Sequence, residues 1–282
     1  MLWPCRTTIT QNTVTAVSLV YLSRLLEFAV LPIRVKIDSA SPAPLNAGEK
    51  SHLGVKAIPI LTLFPAFLWA QTSVVLSHKA PAESELTANA DSTFWGSIQG
   101  ISMDADYFGK SIANHRTEVR SRWTPSHLYL LYICNYEELN LKPNPSTAAE
   151  TPQLWNWDVV EAFLGPDLAN IQRYFEFEVS PQGEWIDLEI DRTGERRGGG
   201  AAWNSGMQAK ARIDAARKVW YGEMKIPFDA MIGGPAISGR KFRAGFFRIA
   251  GRDPDKKKIS WQATGRTTFH VPEKFSTLIL VD

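Results

Sequence analysis

Alternation of apolar and polar residues is clearest at Tyr174–Ser180, YFEFEVS, where Phe175, Phe177 and Val179 face one way and Tyr174, Glu176 and Glu178 the other. A Pro181–Gln182–Gly183 turn follows, and Glu184–Asp191, EWIDLEID, alternates again. Here Ile186, Leu188 and Ile190 are expected to point inward, and Trp185, Asp187 and Glu189 outward. The two segments predict a hairpin with one buried and one wet face. His127–Tyr136, HLYLLYICNY, is an aromatic and branched run too apolar for an edge strand. Asp158–Leu164, DVVEAFL, is another strand, closed by Gly165–Pro166–Asp167. Met207–Ile213 alternates, Val219–Phe228 ends at Pro227, and Phe242–Gly251 and Phe275–Val281 complete the set. About eight to ten short strands at 8–12-residue spacing, without a long amphipathic helix, predict one all-β domain built as an antiparallel β-sandwich of jelly-roll type.

The front of the chain reads differently. Residues 1–54 hold no sustained period of 2 or 3.6. Residues 57–70, AIPILTLFPAFLWA, follow Lys56 and end at a small residue, a secretory signal pattern too short for a transmembrane helix. Two readings stand: translation starts near Val55, with 55–70 a signal peptide, or residues 1–54 are a genuine extension with a membrane-associated helix. Residues 71–91 are then a linker and 92–282 the sandwich. The mature protein is expected to be a secreted or periplasmic monomer of bacterial type, without a membrane span.

Charge and composition narrow the chemistry. Residues 1–70 carry six Lys or Arg against three Asp or Glu, which leaves 25 against 26 for the rest, so the body has no nucleic-acid footprint. Nine of the ten Trp lie after position 68, which means an aromatic core or a surface that stacks on flat apolar ligands, sugar faces among them. Asp187, Glu189 and Asp191 repeat every second residue, as an exposed strand face does, and do not form a catalytic row. No Ser–His–Asp order, Cys–His dyad or HExxH pattern occurs. The glycine-rich stretch Arg192–Ala202 lacks the Lys-Ser/Thr ending of a phosphate loop and reads as a connection.

The order of six segments resembles carbohydrate-binding modules of family 9, within the DOMON-type β-sandwiches. These are TEVRSRWTPSHLYLLYICNY (117–136), LWNWDVVEAFLGPD (154–167), YFEFEVSPQGEWIDLEIDR (174–192), VWYGEMKIPFDAM (219–231), FRAGFFRIAG (242–251) and SWQATGRTTFHVPEKFSTLIL (260–280). The resemblance spans roughly residues 85–282. It implies non-catalytic binding of a poly- or oligosaccharide by an exported protein associated with polysaccharide breakdown. It also implies a tryptophan clamp closing on a sugar end, with an acidic residue and an arginine bonding its hydroxyls. Trp155 and Glu161 keep the Trp-to-acid spacing of that motif, and Trp261 stands near the second Trp's place.

The expected carbohydrate-binding residues are therefore Trp155, Trp157, Glu161, Arg248 and Trp261, with Arg248 as the neighbour of Glu161. A carboxylate inside VVEAFL is costly unless it faces solvent, meets an arginine or serves a ligand hydroxyl. Each Trp can instead be a rim or core residue, and His270 can cap the sandwich or ligate. The family often carries structural calcium, but this chain has no contiguous calcium loop. Two other functions remain open. One is a DOMON-type haem redox module, with Met103, Met207, Met224, His127 and His270 as candidate ligands; the other is a glycoside hydrolase.

Overall fold

The computed structural model describes residues 74–193 and 203–282. The extension, the signal segment and most of the glycine-rich connection lie outside them. Thirteen strands occur among the described residues. They are β1 (Val74–Lys79), β2 (Ile101–Met103), β3 (Ala105–Asp106), β4 (Thr117–Trp123), β5 (His127–Asn135), β6 (Val159–Gly165) and β7 (Arg173–Val179). The others are β8 (Trp185–Asp191), β9 (Gln208–Asp214), β10 (Val219–Pro227), β11 (Lys241–Ala250), β12 (Lys257–Ser260) and β13 (Ser276–Val281).

The chain is all-β, as its alternation predicts. The main strands run in the order β8-β7-β6-β11-β13-β1-β4-β5-β10-β9. Pairing is antiparallel except at β1, which lies parallel to both β13 and β4 and joins the two halves. Residues 74–79 therefore belong to the sheet, which corrects the expectation of a linker over 71–91.

The two halves fold onto a central core. Val160, Ala162, Phe177 and Phe246 from one half meet Leu128, Leu130, Tyr132 and Met224 from the other. The Tyr132 hydroxyl crosses this core to donate to the Glu161 carbonyl at 2.9 Å, because a buried hydroxyl needs a partner.

Both halves are also covered on their outer faces, so neither sheet has the wet side the pattern suggested. Residues 80–98 lie over β5 and β10, burying Leu86, Ala88 and Trp95 against Tyr129, Leu131 and Tyr221. Buried Glu223 fastens them: its carboxylate accepts from the Thr87 and Ala88 amides at 2.7 and 2.6 Å and from Trp95 Nε1 at 2.7 Å. The closing segment before β13 covers β6, β7, β8 and β11. There Phe269 stacks on Phe247 at 4.4 Å, and Phe275 packs edge-on against Tyr174 at 5.1 Å.

This second cover explains a register correction. Val179 lies opposite Trp185, Phe177 opposite Asp187 and Phe175 opposite Glu189. Residues directly opposite share a face, so Trp185, Asp187 and Glu189 lie on the side of Phe177. Ile186, Leu188 and Ile190 share the outer face with Tyr174, Glu176 and Glu178. Each strand has its own apolar face, and each apolar face has its own cover. Asp187 is consequently buried, its carboxylate accepting from the Ser205 amide at 3.1 Å and hydroxyl at 2.5 Å.

Candidate functional site

The outer face of β6, β7, β8 and β11 holds a cavity of about 340 Å³ beneath the closing segment. Glu161 and Glu176 line it from the strands, Leu188, Ile190 and Ile249 supply apolar wall, and Lys258, Phe269 and His270 close one side. Trp155 stands at its margin.

Trp155 sits in a short 3-10 turn, Leu154–Asn156, just before β6. Buried Leu154 anchors the turn, while the Trp155 side remains 38% exposed. Asn140 ties the turn down: its side-chain amide donates to the Asn156 and Gly251 carbonyls at 3.3 and 3.2 Å. Buried Asp158 then accepts from the Gly251 amide at 2.7 Å, fixing the strand entry. An indole on so braced a turn offers a flat apolar face without a large ordering cost.

Three carboxylates meet on the outer face of β6 and β7, and two of them, Glu161 and Glu176, line the cavity. Glu161 lies opposite Glu178 across β6 and β7, and Glu176 lies opposite Phe163 one step along the same face. One oxygen from each of Glu161, Glu176 and Glu178 falls within 4.8 Å of the others. Burial pushes the Glu161 and Glu178 carboxyls well up from the usual range; the nearby Glu176 adds to both shifts, and Glu161 adds to that of Glu178. Burial lifts Glu176 to about 7.

His270 flanks them, stacked on Phe163 at 5.0 Å. Its Nδ1 shares a 2.7 Å hydrogen bond with the Tyr174 hydroxyl, and its Nε2 lies 3.9 Å from Glu176 Oε2. Burial, together with the charges of Arg192 and Lys258, lowers this imidazole to about 4, so it is neutral at pH 7.

Of the five expected residues, the structure brings Trp155 and Glu161 to one cavity. Trp157 is half-buried and lies outside the lining. Trp261 corrects the clamp: it is 1% exposed and packs in the central core, 5.5 Å from the Phe246 ring. Its backbone pairs with Phe246, and that pairing turns the indole inward. Arg248 is likewise not the neighbour of Glu161. It lies opposite Val160, whereas Phe247 lies opposite Glu161, so arginine and glutamate occupy opposite faces. Arg248 is fully buried, and its Nη1 donates to Asn135 O at 2.8 Å, Thr117 Oγ1 at 3.0 Å and His115 O at 3.3 Å.

The haem candidates are also kept apart. Met103, Met207 and Met224 are in the central core, His127 pairs with Glu83 at 2.9 Å, and His270 belongs to the outer site. Sequence reading missed Glu176, Glu178, Lys258 and His270 as partners of Glu161. The signal was present in FEFEV, but a wet face was the simpler reading of its glutamates.

The fold is shared with known proteins, although no family model matches the chain. A protein of Bacteroides uniformis ATCC 8492, provisionally described as carbohydrate-binding, superposes with a TM-score of 0.59 at 18% identity, covering 73% of this chain and 98% of that one. A family 9 carbohydrate-binding module from Caldicellulosiruptor kristjanssonii, in complex with cellotriose, gives 0.53 at 12% identity over 74% and 93%. Its glucose complex gives 0.53 at 11% identity over 73% and 95%.

In sequence, an extracellular protein of Arthroderma benhamiae is 25% identical over 140 residues. That match covers 45% of this chain and 63% of the relative's length. The relative is fungal, which does not support the bacterial type expected from the sequence. Among the described residues no helix is long and apolar enough to cross a membrane.

Proposed function

We propose that this chain is a carbohydrate-binding module that takes a saccharide into the cavity beside Trp155. The observation that carries this reading is the pairing of an exposed, braced indole with buried hydrogen-bonding groups in one concavity. A pyranose presents C–H faces that stack on an aromatic ring and hydroxyls at its rim. Trp155 supplies the stacking face. Glu161 and Glu176 supply acceptors for hydroxyl protons, and Lys258 a donor. A buried acceptor such as Glu161 Oε1, which has no partner in the protein, strongly favours a ligand that donates to it. The structural neighbours, a family 9 module in complex with cellotriose among them, support the same ligand class.

The site differs from a two-tryptophan clamp. With Trp261 in the core, a sugar stacks on one indole and leans on the apolar wall of Leu188, Ile190 and Ile249. The extracellular relative supports export, and service to a polysaccharide-degrading system follows from the ligand class.

Isothermal titration of the full chain with cello-oligosaccharides, xylo-oligosaccharides and their monosaccharides tests the reading. Heat is expected from at least one saccharide, without release of new reducing ends on prolonged incubation. New reducing ends would replace the reading with a hydrolase, and absence of heat across the panel would remove it.

A further inference from the structure

A second cavity, of about 680 Å³, opens at the end of the sandwich where β6 begins and β11 ends. Its lining includes His115, Glu138, Leu139, Asn140, Arg252 and Lys257. Three links set it beside the Trp155 cavity. Asn140 donates its side-chain amide to the carbonyl of Asn156, the neighbour of Trp155, at 3.3 Å. Along β11, Ile249 lines the first cavity, and Gly251, just past the strand, lines the second. Along β12, Lys258 lines the first and Lys257 the second. The Trp155 turn and its ties divide the two.

That divide is braced. Asn140 is 6% exposed, and its amide also reaches the Gly251 carbonyl at 3.2 Å. Buried Asp158 gives its own amide to the Asn140 carbonyl at 3.0 Å and accepts from the Gly251 amide at 2.7 Å. Gly251 has a φ of 83°, which suits glycine and turns the chain out of β11 at the cavity edge. A ligand that crosses the divide meets a surface already ordered, so little is lost in fixing it.

The second cavity offers both hydrogen-bonding roles. Arg252 and Lys257 present donors, Glu138 presents acceptors, and Leu139 adds an apolar patch. An anion entering here meets the glutamate, and a cation meets the arginine and lysine. A neutral polyhydroxyl ligand uses both kinds of group. Among the described residues no Trp, Tyr or Phe lines this cavity, so a sugar is held there by hydrogen bonds, each worth little against water. Such a weak site gains when its ligand is tethered. A sugar linked to one already stacked on Trp155 arrives at a high effective concentration.

We infer that the two cavities are successive subsites of one groove. The preferred ligand is then a neutral oligosaccharide chain that stacks on Trp155 and runs over the Asn140 tie into the second cavity. This rests on the saccharide reading of the first cavity and adds the length and charge of what binds.

The test is a chain-length series. The full chain is titrated by calorimetry with glucose and cello-oligosaccharides of two to six units, and with xylose and the matching xylo-oligosaccharides. In the series that binds, affinity should rise by about tenfold or more between the disaccharide and the longer members, as one or two added hydrogen bonds supply. Glu138→Ala/Arg252→Ala, two exposed positions, should melt as wild type does and bind the mono- and disaccharide unchanged, but lose that rise.

Affinity that levels off at the disaccharide would overturn the groove, and so would a folded double variant that keeps the rise or weakens short and long ligands equally. In each of those cases short saccharides still bind, and the reading of the Trp155 cavity stands. Absence of heat from every member would remove both.

Discussion

Gly245 sits in the middle of β11, and its replacement by alanine tests how the cover over the site is held. A Cβ added there would lie 2.6 and 2.7 Å from two ring atoms of Phe247 and 3.3 Å from Phe275. Two opposed effects must be compared. Alanine in an open strand position gains about 0.5–1 kcal/mol over glycine, but overpacking a filled core costs about 1–3 kcal/mol. Overpacking should win, because Phe247 cannot swing aside freely: its ring is stacked on Phe269 at 4.4 Å and packed against Phe163 at 4.9 Å.

The net loss is expected to be about 1–2 kcal/mol, which lowers the melting temperature by about 2–8 °C in a domain of this size. Since Phe269 lines the cavity, saccharide affinity should fall as well. The double variant Gly245→Ala/Phe247→Leu should recover most of the stability, because leucine vacates the clash; this coupling is a double-mutant cycle. Gly245→Ala melting at or above wild type would refute the reasoning.

Two further substitutions test the register and the role of Arg248. Phe177→Ala should cost about 3–5 kcal/mol, as a fully buried ring does, while exposed Glu189→Ala should stay within about 0.5 kcal/mol; equal costs in urea unfolding would contradict the β7–β8 pairing. Arg248→Ala should destabilise by more than about 2 kcal/mol, since it strips a donor from two carbonyls and the Thr117 hydroxyl. A stable Arg248→Ala variant with lost saccharide binding would show instead that the arginine serves the ligand.

The strands were legible because each half-buried segment alternates with period two and is punctuated by glycine and proline. The sides they face were less so. Phe175, Phe177 and Val179 form one apolar set and Ile186, Leu188 and Ile190 another, and a single buried face is the economical way to combine them. The pairing of Val179 with Trp185 puts them on opposite faces. Nothing local to the hairpin reveals this, since it depends on Phe269 and Phe275, some eighty residues away, covering the outer side.

The same cover turned the glutamates of FEFEV from solvated groups into buried ones. Trp155 and Glu161 could be found through the family resemblance, because they keep its Trp-to-acid spacing at the entry to one strand. Trp261 and Arg248 could not be sorted, because an apolar ring or a guanidinium in a short strand suits either face. Likewise, residues 74–91, within the expected linker 71–91, looked polar because their hold on the sheet is through backbone pairing and Glu223 rather than through an apolar run.

The most direct test of the account is the saccharide affinity of Trp155→Ala, measured by titration calorimetry beside its thermal melt. The indole is exposed and its turn is held by Leu154 and Asn140, so the variant should melt close to wild type. Its affinity for the best-bound saccharide should fall by about 1–3 kcal/mol, as for a truncated binding anchor. A folded Trp155→Ala that binds as wild type does would contradict a saccharide site in this cavity.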